Sequence, residues 1–481
     1  MFWLVLDWVV IVALHVLGVI AGIHALLNKR DSRSALGWMV VCVAVPGLGA
    51  LAYLIFGMNR IANVARQWES RGLWHMGQTD MASVTPGDIR QYAAGFDAAI
   101  FDRLVLTGDR VCRRPLVPGC HIEILQDGTE AYPQMLAAIH NAKQTVYLCS
   151  YIFGSSGVGQ DFINALADAT ARGLDVRVLI DGIGGLYCWP TAAYKLRKRG
   201  VRVSYFLPLL RNWYYTLHLN LRNHRKILVV DGRLGFTGGL NIHENNMAGQ
   251  GQEALIHDLH FHVTGPIVGY LQDIFLKGWY FSTREHIQKV FYYDDSPKGD
   301  MLCRAIPDGP HQQYALLQNI LVAALGAAKS HIRIMTPYFV LGNTMRSAFN
   351  AAAFLGVNIE VILPESNNLR FVKGAVESLL PGLLQRGVTI YYRRGNFAHT
   401  KLFLVDDFVA YIGSSNLDMR SLHLNFEFNL EVFSQPLVAQ LITHFETVKR
   451  QSWQITQTYL DNQGFWLKLR NAFFKLFSPY L

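Results

Sequence analysis

The sequence predicts an α/β protein built from two homologous halves and preceded by a pair of apolar helices. Three observations carry this prediction. First, a constellation of His224, Lys226 and Asp231 recurs as His399, Lys401 and Asp406. Each copy is followed by a Gly-x-x-Asn whose asparagine, Asn241 or Asn416, lies 17 residues after its histidine (241 − 224 and 416 − 399). Second, strand-like and helix-like stretches alternate around each copy, the pattern of helices laid on a mostly parallel sheet. Third, the first 57 residues carry no charge outside Asp7 and the loop at 28–34.

The elements follow in order. Residues 2–27 are apolar apart from Asp7, His15 and His24, and are long enough as a helix to cross ~30 Å of hydrocarbon. Residues 35–57 form a second uncharged stretch, interrupted by Pro46, Gly47 and Gly49. Such residues are tolerated in spanning helices when neighbours resupply the backbone bonds. With only seven residues between them, the two stretches read as a hairpin within residues 1–60. A cleaved signal peptide fits poorly, because no basic segment precedes the first run and a second run follows at once. Lys29, Arg30 and Arg33 on one side balance Arg60, Arg66 and Arg71 on the other, so charge counting leaves the sidedness open.

After a connecting segment at 61–118, the first soluble half spans 119–295 and the second 296–481. The first predicts a strand at 145–153, a helix at 159–172 and a strand at 174–181. The second predicts a strand at 331–340, a helix at 344–354 and a strand at 357–363. Gly173, Gly200, Gly356 and Gly387 each stand just past a predicted helix, where left-handed backbone closes the last turn. The seam falls near 290–310.

Composition narrows the class of function. Hydrophobic residues make up 51% and charged residues 16%, and the net charge is +9. That balance calls for a membrane segment and for anionic partners, lipid headgroup or nucleic acid. The six cysteines form no Cys-x-x-Cys, which excludes a zinc ribbon and a dithiol redox motif. His257, His260 and His262 have no carboxylate or cysteine at ligand spacing, so no metal is expected.

Lys195, Arg197, Lys198, Arg199 and Arg202 read as a solvated helix end or as a lipid contact. Trp213, Tyr214 and Tyr215 suit a rim at a bilayer interface. Phe465, Trp466, Leu469, Phe473, Leu476 and Phe477 share one helical stripe, which fits an interfacial helix or a docked core helix.

The repeated motif points to displacement at phosphorus. On an extended strand His224 and Lys226 share a face, as do His399 and Lys401. One imidazole can attack a phosphodiester and hold it covalently, while the other protonates the leaving alkoxide and later deprotonates the incoming alcohol. Lysine and asparagine can carry the negative charge of the five-coordinate transition state. Opposite roles for two histidines call for environments that pull their proton affinities apart.

The duplicated His-x-Lys-x4-Asp with its Gly-[Gly/Ser]-x-Asn resembles the phospholipase D superfamily across about residues 119–460. Arg222-Asn223-His224-Arg225-Lys226, Thr336-Pro337-Tyr338-Phe339 and Gly413-Ser414-Ser415-Asn416 with Asn425 and Glu427 resemble the bacterial cardiolipin synthases of the A type. The N-terminal hairpin, with Gly37-Trp38 and Ala52-Tyr53-Leu54-Ile55-Phe56-Gly57, is similar to that family's membrane leader.

The resemblance implies two phospholipase D-like α/β/α sandwich domains related by a pseudo-two-fold axis. It implies a bacterial inner-membrane phosphatidyltransferase that joins two phosphatidylglycerol molecules into cardiolipin and releases glycerol. A phospholipase D-type hydrolase or another phosphatidyltransferase of the superfamily is the alternative. The partners implied are phosphatidylglycerol, other anionic phospholipids and the bilayer, with no nucleic acid and no cofactor.

By the same resemblance His224, Lys226, Asp231, His399, Lys401 and Asp406 form the catalytic set, in which the two aspartates brace the motif. Asn241, Asn416 and Ser414 line the phosphate cradle, and Asp258 and Glu427 orient the histidines. Three positions depart from the family pattern: Gly239 where serine is usual, Ile256-His257-Asp258 for Trp-Arg-Asp, and Val340-Leu341-Gly342 for Val-Pro-Asp.

Overall fold

The structure is a computed structural model. It describes residues 2–29, 32–57, 96–112, 114–208, 221–248, 254–285, 287, 294–309, 315–367 and 369–478. Trp213, Tyr214 and Tyr215, with most of the connecting segment, lie outside the described residues. The chain divides into two compact units, Met1–Arg71 with Leu209–Leu219, and Gly72–Pro208 with Asn220–Leu481.

In the first unit, α1 (Phe2–Asn28) is 27 residues of nearly unbroken apolar sequence. Among the described residues it is the one helix long and apolar enough to cross a membrane. The second stretch does not form an equivalent rod. It gives α2 (Ser32–Ala44) and α3 (Leu48–Ala52), followed by a wider turn at Tyr53–Gly57. The break falls at Pro46-Gly47, where proline cannot donate to the helix ladder and Gly47 has φ 77°.

The two continuous spans expected from composition therefore reduce to one span and a kinked return. The pieces still pack together. A Cβ on Gly18 would lie 2.4 Å from the Cys42 carbonyl oxygen, so only glycine lets α1 and α2 approach this closely. His24 is satisfied by the Tyr53 hydroxyl at 2.9 Å, as a polar group inside an apolar hairpin requires.

The second unit is organised by one sheet. The first half contributes β1 (Val117–Gln126), β2 (Thr145–Ser150), β3 (Asp175–Asp181), β4 (Arg202–Phe206), β5 (Ile227–Val230), β6 (Leu234–Gly238), β7 (Ile256–His257) and β8 (Leu259–Thr264). The second contributes β9 (Met301–Asp308), β10 (His331–Met335), β11 (Phe339–Val340), β12 (Asn358–Pro364), β13 (Thr389–Arg393) and β14 (Phe397–Ala398). It continues with β15 (Leu402–Val405), β16 (Val409–Gly413), β17 (Leu417–Asp418), β18 (Glu427–Phe433) and β19 (Ser452–Gln454).

Fifteen of these strands form a single sheet in the order β4-β3-β2-β5-β6-β8-β1-β9-β18-β16-β15-β10-β12-β13-β19. Read outward from the β1–β9 junction, the two halves repeat the same order. Only the β2–β3–β4 and β10–β12–β13 trios are parallel. The expectation of a mostly parallel sheet is corrected: the motif strands β5 and β15 run antiparallel to both neighbours. A three-residue turn joins each to the next strand, and so tight a connection permits only antiparallel pairing.

Helices cover both faces of the sheet. Those preceding and within the first half are α4 (Ala98–Cys112), α5 (Asp127–Asn141), α6 (Val158–Ala171), α7 (Ala192–Lys198) and α8 (Ile267–Thr283). The second half has α9 (Leu316–Ala327), α10 (Asn343–Phe354), α11 (Arg370–Glu377), α12 (Leu380–Leu384), α13 (Met419–His423), α14 (Gln435–Arg450), α15 (Gln457–Asp461) and α16 (Phe465–Lys475). Gly173 and Gly356 take φ 84° and 89° at the matching helix ends, as their positions in the sequence imply.

Part of the stretch read as a connector is core. Ile100, Phe101 and Leu104 of α4 pack with Leu317, Ile320 and Leu321 of α9. Arg304, fully buried, ties α4 to the sheet: Nη1 donates to Asp109 at 2.5 Å and Nε to Glu431 at 2.7 Å.

Candidate active site

The site begins with two rigid strands. Ile227, Leu228, Val229 and Val230 are all buried, and so are Leu402, Phe403, Leu404 and Val405. Burying each such side chain contributes roughly 1.5–3 kcal/mol, so neither strand can shift without losing its core. His224 and His399 project from the segments that lead into these strands.

Each lead-in segment is pinned to the opposite half. His224 N–H donates to the Phe426 carbonyl at 2.9 Å and Phe426 N–H to Arg222 at 2.8 Å. In the same way β14 pairs with β7, and His399 N–H donates to the His257 carbonyl at 2.7 Å. The residues next along the partner segments are Glu427 and Asp258. Cross-half pairing thereby delivers a carboxylate to each imidazole.

His224 Nδ1 lies 3.0 Å from Glu427 Oε2, and His399 Nδ1 lies 2.6 Å from Asp258 Oδ2. Both carboxylates are buried. A proton held on Nδ1 by a carboxylate leaves the lone pair of Nε2 free, the arrangement a nucleophile or base needs. Glu427 is further fixed by the Ser414 hydroxyl at 2.5 Å and the Asn425 amide at 3.1 Å. Asp258 accepts from Leu259 N–H at 2.8 Å, and its own N–H donates to Asp127 at 2.8 Å.

The lysines stand close beside the two imidazoles. Lys226 Nζ donates to the His224 carbonyl at 2.6 Å. Lys401 Nζ lies 2.7 Å from His399 Nδ1 and donates to the His399 carbonyl. Each lysine also acts electrostatically on the other motif's histidine, so the two constellations face one site.

Burial, then crowding by like charge, weakens the proton affinity of every base here. Lys226 falls to about 7 and Lys401 to about 8, chiefly through burial. His399 falls to about 4, through burial and then Lys401, and His224 is lowered by burial despite Glu427. Both imidazoles are held neutral. Burial pushes the two acids up, but Lys401 and His399 outweigh it at Asp258, and His224 and Lys226 outweigh it at Glu427, leaving both lowered and ionised.

Other expected residues divide. Asp231 and Asp406 are not at the site. Asp231 accepts from the N–H groups of Lys143, Gln144 and Thr145 at 2.7–2.9 Å, and Asp406 from those of Lys329, Ser330 and His331 at 2.8–3.1 Å. They stand at the far ends of β5 and β15, five residues past the lysines, which at ~3.3 Å per residue places them roughly 16 Å away. Their role is to anchor the loops that open β2 and β10.

Ser414 is turned to Glu427, not toward an entering phosphate. The absence of serine at Gly239 therefore removes no phosphate contact. A Cβ on Gly239 would stand 2.2 Å from Asp258 Oδ2, so the space of that side chain belongs to the carboxylate. Asn241 accepts from Ile152 N–H at 3.2 Å through Oδ1, while Asn416 Nδ2 reaches Ser421 Oγ at 3.3 Å. Asn416 Oδ1 has no partner among the described residues.

Tyr151 escaped the reading of the sequence. Its ring packs 5.2 Å from His224 and lies beneath Lys226 Nζ at 5.5 Å, forming one wall of the site. The repeat carries no signal for it: Ser150 and Thr336 hold equivalent places, each hydroxyl donating to the carbonyl two residues on (Ile152 and Tyr338), so the second copy has Pro337 where the first has Tyr151.

His257 and His262 are engaged by Asp127 at 2.9 Å and Glu123 at 3.3 Å, and no three metal-ligating groups converge among the described residues. The cations of the basic run near Lys195 turn to their own half: Lys195 to Ser155 O at 2.6 Å and Arg197 to Val203 O at 3.1 Å.

Two inward-facing His–carboxylate pairs on a duplicated fold match a known pattern. The family model described as cardiolipin synthase, PLD-like domain, matches residues 135–279 and 321–449. The chain belongs to this family. A second model, phospholipase D-nuclease N-terminal, matches residues 10–57. The cardiolipin synthase of Alkalihalophilus pseudofirmus is 31% identical over 100% of this chain and 95% of its own length.

The major cardiolipin synthase ClsA of Bacillus subtilis is 27% identical over 94% of this chain and 95% of its own. Cardiolipin synthase A of Pseudomonas putida is 29% identical over 91% of each chain. Among solved structures, the phosphatidylserine synthase of Haemophilus influenzae superposes with a TM-score of 0.61, at 16% identity, over 79% of this chain and 100% of that one. At that identity the likeness speaks for the phospholipase D-like fold.

Proposed function

We propose that this protein is a membrane-bound phosphatidyltransferase that converts two phosphatidylglycerol molecules to cardiolipin and glycerol. The observation that carries the reading is the pair of histidines, each with Nδ1 on a buried carboxylate from the opposite half, with two lysines that each act on both imidazoles.

In the first step His224 Nε2 attacks phosphorus, and the P–O bond to the glycerol headgroup breaks. His399 gives its proton to the departing alkoxide, and glycerol leaves. In the second step His399, now neutral, takes the proton of a hydroxyl on the headgroup of a second phosphatidylglycerol. That oxygen attacks the phosphatidyl-histidine, the P–N bond breaks, and cardiolipin forms. One phosphodiester replaces another, so no nucleotide donor is required.

Lys226 and Lys401, with Asn241 and Asn416, hold the non-bridging oxygens. His399 must be protonated to act as the acid. An anionic phosphodiester placed between the lysines offsets their repulsion and raises its proton affinity. The N-terminal unit enters the inner membrane as a hairpin of α1 and the kinked return, the loss of helix bonds at Pro46 being absorbed within the packed pair.

The test uses purified full-length protein, phosphatidylglycerol vesicles and mass spectrometry of the lipid products. Cardiolipin with equimolar glycerol is expected; phosphatidic acid instead would make the protein a hydrolase. Labelled lipid quenched with alkaline dodecyl sulfate, which preserves a P–N bond, should remain on the wild-type chain and vanish from His224→Ala. An adduct that persists on that variant reverses the assignment of the two histidines.

A further inference from the structure

The second unit carries an apolar stripe that no part of the described structure covers. On α16, Leu467, Asn471 and Phe474 face inward at helical spacing. Asn471, nearly fully buried, donates to Glu377 Oε2 of α11 at 2.8 Å, and the Phe474 ring packs 4.8 Å from Phe371. The helix is therefore held to the body of the protein by a specific buried bond. Its other faces present Phe465, Trp466, Leu469, Phe473, Leu476 and Phe477 to solvent, with Trp466 78% and Leu476 71% exposed. Leu369 and Phe371, also exposed, extend the patch onto α11. An apolar surface of this kind on a folded body marks a contact site.

Its surroundings are basic. A cavity of about 720 Å³ opens between α11, α15 and α16, lined by Arg370, Lys373 and Arg470 with Asn367, Asn462 and Gln463. Glu377, the one carboxylate in the lining, is already engaged by Asn471 and lies 4.0 Å from Lys373. Lys468 and Lys475 add two further exposed cations along the helix. Aromatic and aliphatic side chains ringed by cations suit a surface that is apolar within and anionic at its rim. A second copy of the chain fits poorly, because pairing two such stripes would bring like charges together.

We propose that α16 and the adjoining end of α11 form a second membrane contact, distinct from the N-terminal unit. The stripe enters the headgroup–acyl boundary of an anionic bilayer, and the basic cavity takes a phospholipid headgroup. The contact orients the catalytic body on the surface that holds its substrate. It requires no turnover, so it stands or falls independently of the reaction proposed above.

The experiment places an environment-sensitive fluorophore (nitrobenzoxadiazole) at Leu469→Cys or Leu476→Cys in the full-length chain. Both variants carry Cys188→Ser, since the other five cysteines are buried. Circular dichroism and a thermal transition matching those of the parent chain, in both variants, establish that they fold. In nanodiscs containing phosphatidylglycerol the emission should shift to the blue and be quenched by nitroxide on the acyl chains. Both effects should weaken in pure phosphatidylcholine, and weaken equally when Arg370→Gln and Lys475→Gln are combined. Water-like emission in both nanodiscs overturns the proposal. So does a blue shift without nitroxide quenching, which would place a protein surface over the stripe.

Discussion

His399 holds a hydrogen bond of 2.6 Å from Nδ1 to Asp258, a residue 141 positions earlier and in the other half of the chain. The relation is reciprocal, because His224 reaches Glu427 of the second half at 3.0 Å. Neither motif histidine takes its carboxylate from its own half. The duplication yields one shared site and not two independent ones.

Asp258→Asn tests the importance of that pairing. The amide keeps the shape but cannot hold the imidazole in the tautomer with the proton on Nδ1. We expect kcat to fall on the order of 10³-fold with the fold intact, by analogy with loss of a triad carboxylate. Steady-state kinetics in mixed micelles, with circular dichroism as the folding control, reads this out. A change of under tenfold would show that Asp258 does not set the tautomer.

Asp231 should behave as a structural residue. Asp231→Ala leaves three N–H groups without their acceptor and keeps a residue at φ 51° while removing the local hydrogen bonding that supports that backbone. A cost of about 2–4 kcal/mol is expected from the lost charged acceptor, with kcat per folded molecule little changed. Asp231→Asn, which still accepts and tolerates this backbone, should recover most of it. Thermal denaturation against active-site titration separates the two effects.

Gly239→Ser should lower activity although serine is usual at this position of the motif. The new Cβ would intrude within 2.2–2.5 Å of the Asp258 carboxyl group, which must move away from His399. The kcat of Gly239→Ser should fall while binding of a phosphonate analogue is retained. Full activity would mean that Asp258 has room to relax.

Phosphate binding should take up protons near pH 8. Burial brings Lys226 and Lys401 to about 7 and 8, below their usual 10.5, so both are partly neutral near pH 8. An anion between them favours the charged forms. Isothermal titration of a phosphatidylglycerol phosphonate in buffers of different ionisation enthalpy should show net uptake of protons. Equal heats in all buffers would refute it.

The same shifts set the pH dependence of stability. The unfolded chain keeps a lysine proton up to about 10.5, so each lysine makes the empty protein more stable as pH climbs from about 7 toward that value. His399, lowered from 6.5 to about 4, acts from the other side. Its contribution is complete above pH 6.5 and is lost as pH falls toward 4, where the unfolded chain gains a proton that the folded site resists. Saturating phosphonate should flatten the alkaline rise.

Much of the site was legible because its chemistry is carried by short repeats. His224, Lys226, His399 and Lys401 are spaced for one strand face, and the run after each motif could only be a buried strand. Which loops the bracing aspartates hold was not legible, because seven residues of extended chain reach across a sheet to backbone that no local pattern names. The kinked second stretch near the N-terminus was overread for a related reason: hydropathy counts side chains and does not register the backbone bond missing at Pro46.

The sequence by itself determined that the chain has two matching halves, an apolar leader and a paired constellation suited to phosphorus chemistry, since periodicity and spacing are local properties of the chain. Tertiary structure alone decided which carboxylate serves which histidine, that α4 belongs to the second half's core, and that β1 and β9 join the halves into one sheet. Those outcomes depend on backbone hydrogen bonds between segments that the chain keeps far apart, such as Phe426 with Arg222 and His399 with His257. No pattern within a single segment can encode its partner, because strand edges offer the same donors and acceptors whatever their side chains.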